Sequence, residues 1–172
     1  LASSRKLDGI RCIAKSDGLW TRTGKPILSA PHIFEALKPL FDENEDLIFD
    51  GELFTSNKDV DFNTIVSCVR KTKPVQEDLD ESRKWIEYWI YDIPSSNKDT
   101  EGRLKDLCSL VLPSCCVLIK TIFAKSISEI EEHYIKYVNE GYEGQMLRTM
   151  DSLYENKRSN SLLKHKDFKT EE

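Results

Sequence analysis

The order of hydrophobic and polar positions predicts β-strands along much of the chain. Residues 8–15 and 18–22 are predicted to form a hairpin around a turn at residues 16–18. Residues 85–93 are rich in aromatic side chains and give the strongest strand pattern. Further strands are predicted at residues 47–53, 116–123, 142–148 and 162–166. The chain is therefore expected to contain extensive β-structure.

Apolar residues at helical spacing predict helices between these strands. Ser29 is predicted to cap the first helix, with Pro31 in its first turn. Further helices are predicted at residues 62–69, 100–111 and 128–139. Residues 71–84 are polar, contain a proline and lack a period, so a loop is predicted there.

Composition indicates one globular domain. The 172 residues are 39% hydrophobic and 32% charged, which permits a sizeable core and argues against disorder. No apolar run reaches membrane-spanning length, so no membrane partner is expected. The chain begins without Met beside its clearest motif, and we expect a fragment of a longer protein.

The cysteines argue against two classes of site, and the three histidines (His32, His133 and His165) show no metal-ligand spacing. An odd number of cysteines without Cys-x-x-Cys spacing argues against a disulfide framework and a zinc site, and favours an intracellular setting. The cysteines are Cys12, Cys68, Cys108, Cys115 and Cys116.

The net charge of -5 argues against nucleic-acid binding by charge alone. It leaves open a local basic groove or a basic partner domain.

The segment from Arg5 to Arg11, Arg-Lys-Leu-Asp-Gly-Ile-Arg, is the first candidate for chemistry. A free lysine is neutral in only about one molecule in a thousand at neutral pH. Nearby cations make an amine a better nucleophile because they disfavour its charged form. Arg5, Arg11, Lys164 and Lys166 are expected to act on Lys6 in this way, where a loop enters a sheet. The alternative is a solvated lysine in a surface turn.

Two further segments carry polar groups suited to a nucleotide. Arg22 and Lys25 flank a turn at Gly24 and can bind phosphate, or they are ordinary surface cations. Glu52 follows Asp50 and Gly51 in a predicted strand. Its carboxylate can accept a hydrogen bond from a ribose hydroxyl or hold a metal, or it marks a solvated strand end.

The remaining candidates lie on later predicted strands. Tyr91 can stack on a base or belong to the core, and composition favours the core. Glu143 lies at the entry of the strand predicted at residues 142–148. Period two places Lys164 and Lys166 on one face of the last strand, where they require an anion or solvent.

Six clusters now stand in a recognisable order. They are Lys6-Leu7-Asp8-Gly9-Ile10-Arg11, Thr21-Arg22-Thr23-Gly24, Asp50-Gly51-Glu52, Tyr88-Trp89-Ile90-Tyr91-Asp92, Glu143-Gly144-Gln145-Met146-Leu147-Arg148 and Leu163-Lys164-His165-Lys166. Together they closely resemble the adenylation domain of ATP-dependent DNA ligases, most of all the short viral and phage type. The resemblance spans residues 1 to 170.

The resemblance implies an α+β fold of the covalent nucleotidyltransferase (ATP-grasp-like) type. Two antiparallel sheets flanked by helices would hold the nucleotide between them. Residues 1–170 would form one adenylation domain, with an oligonucleotide-binding (OB) domain following outside this chain. The expected partners are ATP, Mg²⁺ and nicked double-stranded DNA, and the protein is expected to be an intracellular monomer of cellular, viral or phage origin.

The resemblance also implies the chemistry and the nucleotide contacts. Lys6 would attack the α-phosphate of ATP to form lysyl-AMP. AMP would then pass to the 5′-phosphate of a nick, and the 3′-hydroxyl would displace it. Arg11 and Glu52 would hold the ribose side of the nucleotide, and Tyr91 would stack on adenine.

Five other positions match residues that handle phosphate and metal. Arg22 is expected to contact the 5′-phosphate of the nick, with help from Arg158. Glu143 is expected to act in metal-assisted chemistry. Lys164 and Lys166 are expected to contact the AMP phosphate.

Two positions depart from the family pattern, and two rival functions remain. Tyr91 adds a hydroxyl to the stacking ring, and Gln145 is polar where an aliphatic residue is usual. An RNA ligase or mRNA-capping guanylyltransferase also uses Lys-x-Asp-Gly, although the cluster beginning at Glu143 favours the DNA ligases. An inactive nick-binding module is the other alternative.

Overall fold

The computed structural model describes residues 1–155 and 162–166. These residues form nine strands and five helices. The strands are β1 (Ala2–Lys6), β2 (Ile10–Lys15), β3 (Gly18–Trp20), β4 (Phe49–Phe54), β5 (Glu87–Asp92), β6 (Cys116–Leu118), β7 (Thr121–Phe123), β8 (Gly144–Arg148) and β9 (Leu162–Lys166). The helices are α1 (Pro31–Glu43), α2 (Phe62–Val69), α3 (Gln76–Trp85), α4 (Thr100–Cys108) and α5 (Ile127–Asn139).

The chain divides into two compact units, each built around one sheet. The first unit takes residues 1–8, 97–105 and the described residues from 119 onward. The second unit takes residues 9–96 and 106–118. The first unit is thus assembled from separated segments of the sequence.

The sheet of the first unit has the strand order β7-β1-β8-β9 and is antiparallel throughout. Helix α5 packs against β1 and β8. Its Tyr137 is fully buried, whereas Val138, which the sequence predicted to face inward, is 41% exposed. Ser126 caps α5 by accepting a hydrogen bond from the backbone N–H of Glu129 at 3.2 Å.

The sheet of the second unit has the strand order β3-β2-β4-β5-β6. Its strands pair antiparallel except for β5 and β6, which run parallel. A parallel pair requires a crossover connection, and α4 lies in the connection between these strands. The expectation of antiparallel sheets therefore holds for every pair except this one.

The second unit holds the largest apolar core in the described part of the chain. Alternate residues of the central strands face helices α1 and α2. The fully buried members are Cys12, Ala14, Ala30, Ile33, Leu37, Phe49, Leu53, Tyr88, Ile90 and Leu107. The alternate positions lie on the opposite sheet face and include the polar residues Arg11 and Glu52.

The structure confirms the predicted hairpin and several helices. Strands β2 and β3 pair around a turn where Gly18 has a φ of 143°, a conformation that favours glycine. Helix α2 has the predicted bounds. The predicted helix at residues 100–111 ends at Cys108.

Three predictions of local structure are wrong. Residues 76–85 form α3 instead of a loop. Ser29 does not cap α1, because its hydroxyl donates to the backbone oxygen of Val69 at 2.5 Å and Ala30 is the capping residue. The single strand predicted at residues 116–123 is two strands that belong to different sheets.

No helix in the described ranges is both long and apolar enough to cross a membrane.

Candidate functional site

Lys6 is the last residue of β1 and contacts a carboxylate. In the antiparallel register Lys6 lies opposite Gly144, which brings the preceding residue, Glu143, close to the lysine. The Lys6 Nζ donates to Glu143 Oε2 at 2.7 Å, and 15% of the Lys6 side chain is exposed. Lys6 thus ends a strand, whereas the sequence placed it where a loop enters a sheet.

Lys166 reaches the same carboxylate from the other side of β8. Gly144 pairs with both Lys6 and Lys166, and Lys166 Nζ lies 3.7 Å from Glu143 Oε1. A Cβ atom at residue 144 would collide with the backbone oxygen of His165, so glycine permits this close approach. Glu143 therefore bridges two lysines that are far apart in sequence.

Asp8 adds a second carboxylate near Lys6. Loss of solvent around the Asp8 carboxyl raises its pKa above 3.8, the nearby charge of Glu143 raises it further, and Lys6 lowers it. The Asp8 carboxyl thus interacts electrostatically with both Lys6 and Glu143. We name Lys6, Asp8, Glu143 and Lys166 the lysine–carboxylate cluster.

Lys164 lies next to this cluster on β9. It pairs with Met146, two residues away from Lys166 and therefore on the same face of the strand. Its side chain is exposed. The predicted period of this strand is thus confirmed. Arg158, the other basic residue expected in this part of the chain, lies outside the described residues.

Arg5 does not join the cluster, contrary to the expectation from the sequence. Adjacent strand residues point to opposite faces. The Arg5 Nη2 donates to Glu140 Oε2 at 2.8 Å. Its guanidinium carbon lies 4.9 Å from the Tyr137 ring centre and 5.4 Å from that of Tyr142. Arg5 therefore stabilises the packing of the segment around α5.

In the second unit, the expected ribose contacts lie side by side on one sheet face. Arg11 pairs with Glu52 across β2 and β4, and Glu52 pairs in turn with Trp89 on β5. A Cβ at Gly51 would collide with the backbone oxygen of Trp89, so the glycine in this motif allows β4 and β5 to approach.

Arg11 has a structural partner that the sequence did not reveal. Its Nε and Nη2 donate to Asp50 Oδ1 and Oδ2 at 3.0 and 2.6 Å, a two-pronged ion pair. Asp50 is 1% exposed. The sequence contained Asp50 in the right motif but gave no reason to pair it with Arg11.

Tyr91 occupies an irregularity in β5. Gly51 pairs with Ile90 and Asp50 pairs with Asp92, which leaves Tyr91 as the additional residue of a β-bulge. Tyr91 is half-buried. Tyr88, three residues earlier, belongs to the core, because it is fully buried and its hydroxyl donates to the Cys12 oxygen at 2.7 Å.

Arg22 lies on an exposed turn of the second unit after β3. The turn is closed by a hydrogen bond from the Thr21 N–H to the Lys25 oxygen at 2.7 Å, and Gly24 has a φ of 84°. This geometry is compatible both with phosphate binding and with two ordinary surface cations.

Sequence reasoning missed a buried polar network centred on Gln145. Ser3 Oγ donates to Gln145 Oε1 at 2.7 Å. Gln145 Nε2 lies 2.9 Å from the Ile130 oxygen and 2.8 Å from His165 Nδ1. The polar Gln145 in an otherwise apolar strand was the available signal, but its partners come from distant segments.

Comparisons with known proteins agree with these motifs. The family described as the ATP-dependent DNA ligase domain matches residues 1–166. A DNA ligase of Haemophilus influenzae is 31% identical over 173 residues, covering 98% of this chain and 59% of the relative. The chain therefore spans about three fifths of that relative's length.

Solved structures of ligases have the same fold. A structure from a study of Lig E DNA ligases has a TM-score of 0.77 at 27% identity, covering 96% of this chain and 61% of that one. The Chlorella virus DNA ligase-adenylate has a TM-score of 0.73 at 22% identity, with coverage of 96% and 61%. The chain has the nucleotidyltransferase fold of these enzymes, and it belongs to the ATP-dependent DNA ligase domain family.

Proposed function

We propose that the chain is the adenylation domain of an ATP-dependent DNA ligase and that Lys6 is its nucleophile. The observation that supports this most directly is the 2.7 Å contact between Lys6 Nζ and Glu143 within the lysine–carboxylate cluster. Lys6 Nζ forms a bond to the α-phosphorus of ATP. The bond from that phosphorus to the bridging oxygen breaks, and pyrophosphate leaves.

The other residues of the cluster manage charge and protons during this step. Glu143 lies within hydrogen-bond reach of Lys6 and is placed to accept the proton that the amine must lose. Lys166 and Lys164 supply fixed positive charge to the α-phosphate, where negative charge accumulates in the transition state. Fixed cations lower the barrier without having to reorganise.

The other matched residues bind the remainder of the nucleotide and the nick. Glu52 accepts a hydrogen bond from a ribose hydroxyl, and Arg11 supports that contact from its position in the ion pair with Asp50. Tyr91 stacks on adenine. Arg22 contacts the 5′-phosphate of the nick together with Arg158.

The donor set fits Mg²⁺. This ion prefers oxygen ligands and is usually held by one or two carboxylates together with substrate phosphates. Glu143 would supply the carboxylate, with Asp8 close to it. Among the described residues no group of three or more His, Cys, Asp or Glu side chains forms a metal site, so most ligands would come from ATP and water. Bound Mg²⁺ neutralises phosphate charge.

The later steps act on nicked double-stranded DNA. AMP passes from Lys6 to the 5′-phosphate of the nick. The 3′-hydroxyl then attacks that phosphate, AMP leaves and the strand is sealed. We propose that the protein performs these steps as a monomer.

Intact mass spectrometry tests the first step. ATP with Mg²⁺ should add the mass of one AMP to the protein, and pyrophosphate should remove it. Lys6→Ala and Lys6→Arg should both abolish the adduct, because neither leaves an amine at the nucleophile position. Lys15→Ala is the matched control, since Lys15 also ends a strand. An adduct that persists in Lys6→Ala contradicts the proposal, and an adduct formed from GTP instead of ATP favours a capping enzyme.

A further inference from the structure

Strand β9 carries both Lys164 and Lys166 at the edge of its sheet. Within the described residues it pairs with β8. Leu162 and Leu163 are 43% and 52% exposed, so little apolar burial holds the strand in place. Edge strands with few buried contacts open readily. The position of the two lysines therefore depends on the polar contacts of β9.

Gln145 connects β9 to the interior of the first unit. The Gln145 side chain is fully buried, and its partners lie on β1, α5 and β9. The two Nε2 hydrogens are directed to the Ile130 oxygen at 2.9 Å and to His165 Nδ1 at 2.8 Å, while Oε1 accepts from Ser3 at 2.7 Å. Both donors and the acceptor are used, which fixes the orientation of the amide.

His165 is held by this bond and by a ring of α5. An amide nitrogen is a donor only, so His165 Nδ1 is the acceptor in this contact. The Tyr134 ring of α5 stacks on the imidazole with centroids 4.0 Å apart and planes 17° apart. His165 is thus held by a hydrogen bond in its plane and by a ring against its face.

The two faces of β9 carry different side chains. His165 lies between Lys164 and Lys166, so its ring points to the α5 side while both amines point to the opposite side. On that opposite side Lys166 Nζ lies 3.7 Å from Glu143. Holding His165 therefore sets the register and direction from which both lysines project.

We propose that Gln145 and His165 are positioning residues that hold β9 so that Lys164 and Lys166 face the α-phosphate during lysyl-AMP formation. The role of the lysines rests on the proposed function, whereas the holding of β9 does not. An apolar side chain of similar length, such as Met, would fill the space of Gln145 but make none of its three hydrogen bonds.

Hydrogen exchange measured on the amides of residues 163–166 tests the holding of β9. Gln145→Met and His165→Phe should each speed exchange about tenfold or more, because an anchoring bond is lost and local opening becomes easier. Leu163→Ala is the matched control, since it truncates a half-exposed side chain on the same face of the same strand, and its exchange should stay within about twofold. Unchanged exchange in both Gln145→Met and His165→Phe overturns the proposal.

Ser3→Ala provides a milder variant should Gln145→Met fail to fold. It removes the bond to Gln145 Oε1 and leaves both Nε2 contacts in place. Exchange of β9 should then rise by about twofold to fivefold. An effect spread evenly over the whole sheet, with none concentrated in β9, would show that the network serves general stability and would overturn the proposal.

Single-turnover adenylation tests whether the positioning acts through the lysines. At saturating ATP, Gln145→Met should slow lysyl-AMP formation about tenfold, because small displacements of catalytic groups reduce rates strongly. In a Lys166→Ala background the same substitution should have an effect below about threefold, since the two share one cause. Independent, multiplicative losses would overturn the positioning role. A parent protein that forms no lysyl-AMP would refute the proposed function, and the exchange result would still decide the holding of β9.

Discussion

At the residue scale, the first unit places opposite charges close together. Glu143 lies within 2.7 Å of Lys6 and 3.7 Å of Lys166. The sequence led us to expect Arg5, Arg11, Lys164 and Lys166 as the groups that act on the charge of Lys6. The carboxylate between two lysines offsets part of their positive charge before ATP arrives, and ATP phosphates would then compete with Glu143 for both amines.

The Asp8 carboxyl reports directly on this arrangement. Its raised pKa means that the folded state holds the Asp8 proton more tightly than the unfolded state. The folded state therefore loses stability as pH rises from the ordinary value of 3.8 through the raised pKa. Glu143→Gln removes one cause of that elevation, so the pKa of Asp8 should fall towards 3.8.

Carboxyl NMR titration of parent and variant measures this change. Glu140→Gln is the matched control, because Glu140 contacts Arg5 on the opposite face of β1. That control should leave the Asp8 titration where it is in the parent. An Asp8 pKa that is the same with Glu143 and with Gln at that position would contradict the account of the cluster.

The Arg11 ion pair predicts a stability effect separate from catalysis. Arg11→Ala removes two hydrogen bonds from the buried Asp50 carboxylate. The free energy of unfolding should fall by about 1–3 kcal/mol, the cost of removing hydrogen-bond donors from a buried acceptor. Denaturant unfolding measures the change. Arg22→Ala, at an exposed turn position, should stay within about 0.5 kcal/mol of the parent.

A double variant separates this pair from other effects of the substitution. Arg11→Ala combined with Asp50→Asn removes the buried charge as well as its partner. If the ion pair is the cause, the double variant should recover part of the lost stability, because a neutral amide is less costly to bury than a carboxylate. Full additivity of the two single losses would exclude the pair as the cause.

At the scale of elements, sequence periodicity predicted the helices and strands that bury an apolar face. It missed elements that polar contacts stabilise. The hairpin of β2 and β3 and helix α2 follow from their apolar patterns. Strand β1 is short and composed largely of small and charged residues, so no hydrophobic pattern predicted it. Helix α3 lacks an apolar stripe, because Ser82 is its one buried residue.

Helix α3 is held at its start by Asp78. The Lys71 Nζ donates to Asp78 Oδ1 at 2.6 Å, and the Val75 backbone N–H donates to Oδ2 at 2.9 Å. Acidic Glu77 and Asp78 in the first turn and basic Arg83 and Lys84 in the last turn complement the helix dipole. These local charges, rather than core burial, explain why a loop was predicted and a helix formed.

The stability supplied by Asp78 should depend on pH. Its bond from Lys71, followed by that from Val75, lowers the Asp78 pKa below 3.8. The contribution is therefore present above the ordinary pKa and is lost as pH falls through the lowered folded value. Asp78→Asn should reduce the melting temperature near neutral pH, and the difference from the parent should narrow between about pH 5 and about pH 3.

Thermal unfolding at a series of pH values provides this measurement. Asp80→Asn is the control for loss of an acidic side chain on the same helix, because Asp80 accepts from the side-chain amide of Gln76, whereas Asp78 accepts from Lys71 and from the backbone N–H of Val75. A difference between Asp78→Asn and the parent that widens in acid would contradict the role of the Asp78 charge.

The bulge in β5 gives Tyr91 a setting that the periodic pattern could not predict. Alternation alone assigns each residue of a strand to a face, whereas the extra residue at the bulge breaks that count. If Tyr91 stacks on adenine, Tyr91→Phe should retain nucleotide affinity. Tyr91→Ala should lose about 1–3 kcal/mol of binding free energy, measured by calorimetry. Wild-type affinity in a folded Tyr91→Ala protein would show that the ring does not contact the base.

At the scale of the whole molecule, the motifs revealed the family but not the assembly of the units. The first unit combines residues 1–8, 97–105 and the described residues from 119 onward. Strand pairing between segments this far apart in sequence cannot be predicted from local hydrophobic patterns. The ordered motifs were informative because they specify chemistry at positions that the fold must bring together. The network around Gln145 had no such motif and could be found only in three dimensions.

The charge of the molecule leads to a prediction about DNA sealing. A net charge of -5 gives little general attraction for duplex DNA, whose binding depends on neutralising phosphates. The chain also spans 59% of the Haemophilus influenzae ligase. We therefore expect residues 1–172 to bind ATP or AMP, to form lysyl-AMP slowly and to seal nicked duplex poorly. A protein that joins these residues to a downstream OB domain should be faster in both steps.

Time courses of nick sealing at equal protein concentration compare the two forms. Sealing by the longer form should fall steeply as salt rises. Each phosphate contact makes the slope of log affinity against log salt more negative by about 0.9. Starting both reactions from the adenylated protein separates DNA binding from the first chemical step. If the two forms then seal at the same rate and with the same dependence on salt, residues 1–172 carry a sufficient DNA-binding surface of their own, and net charge is a poor guide to it.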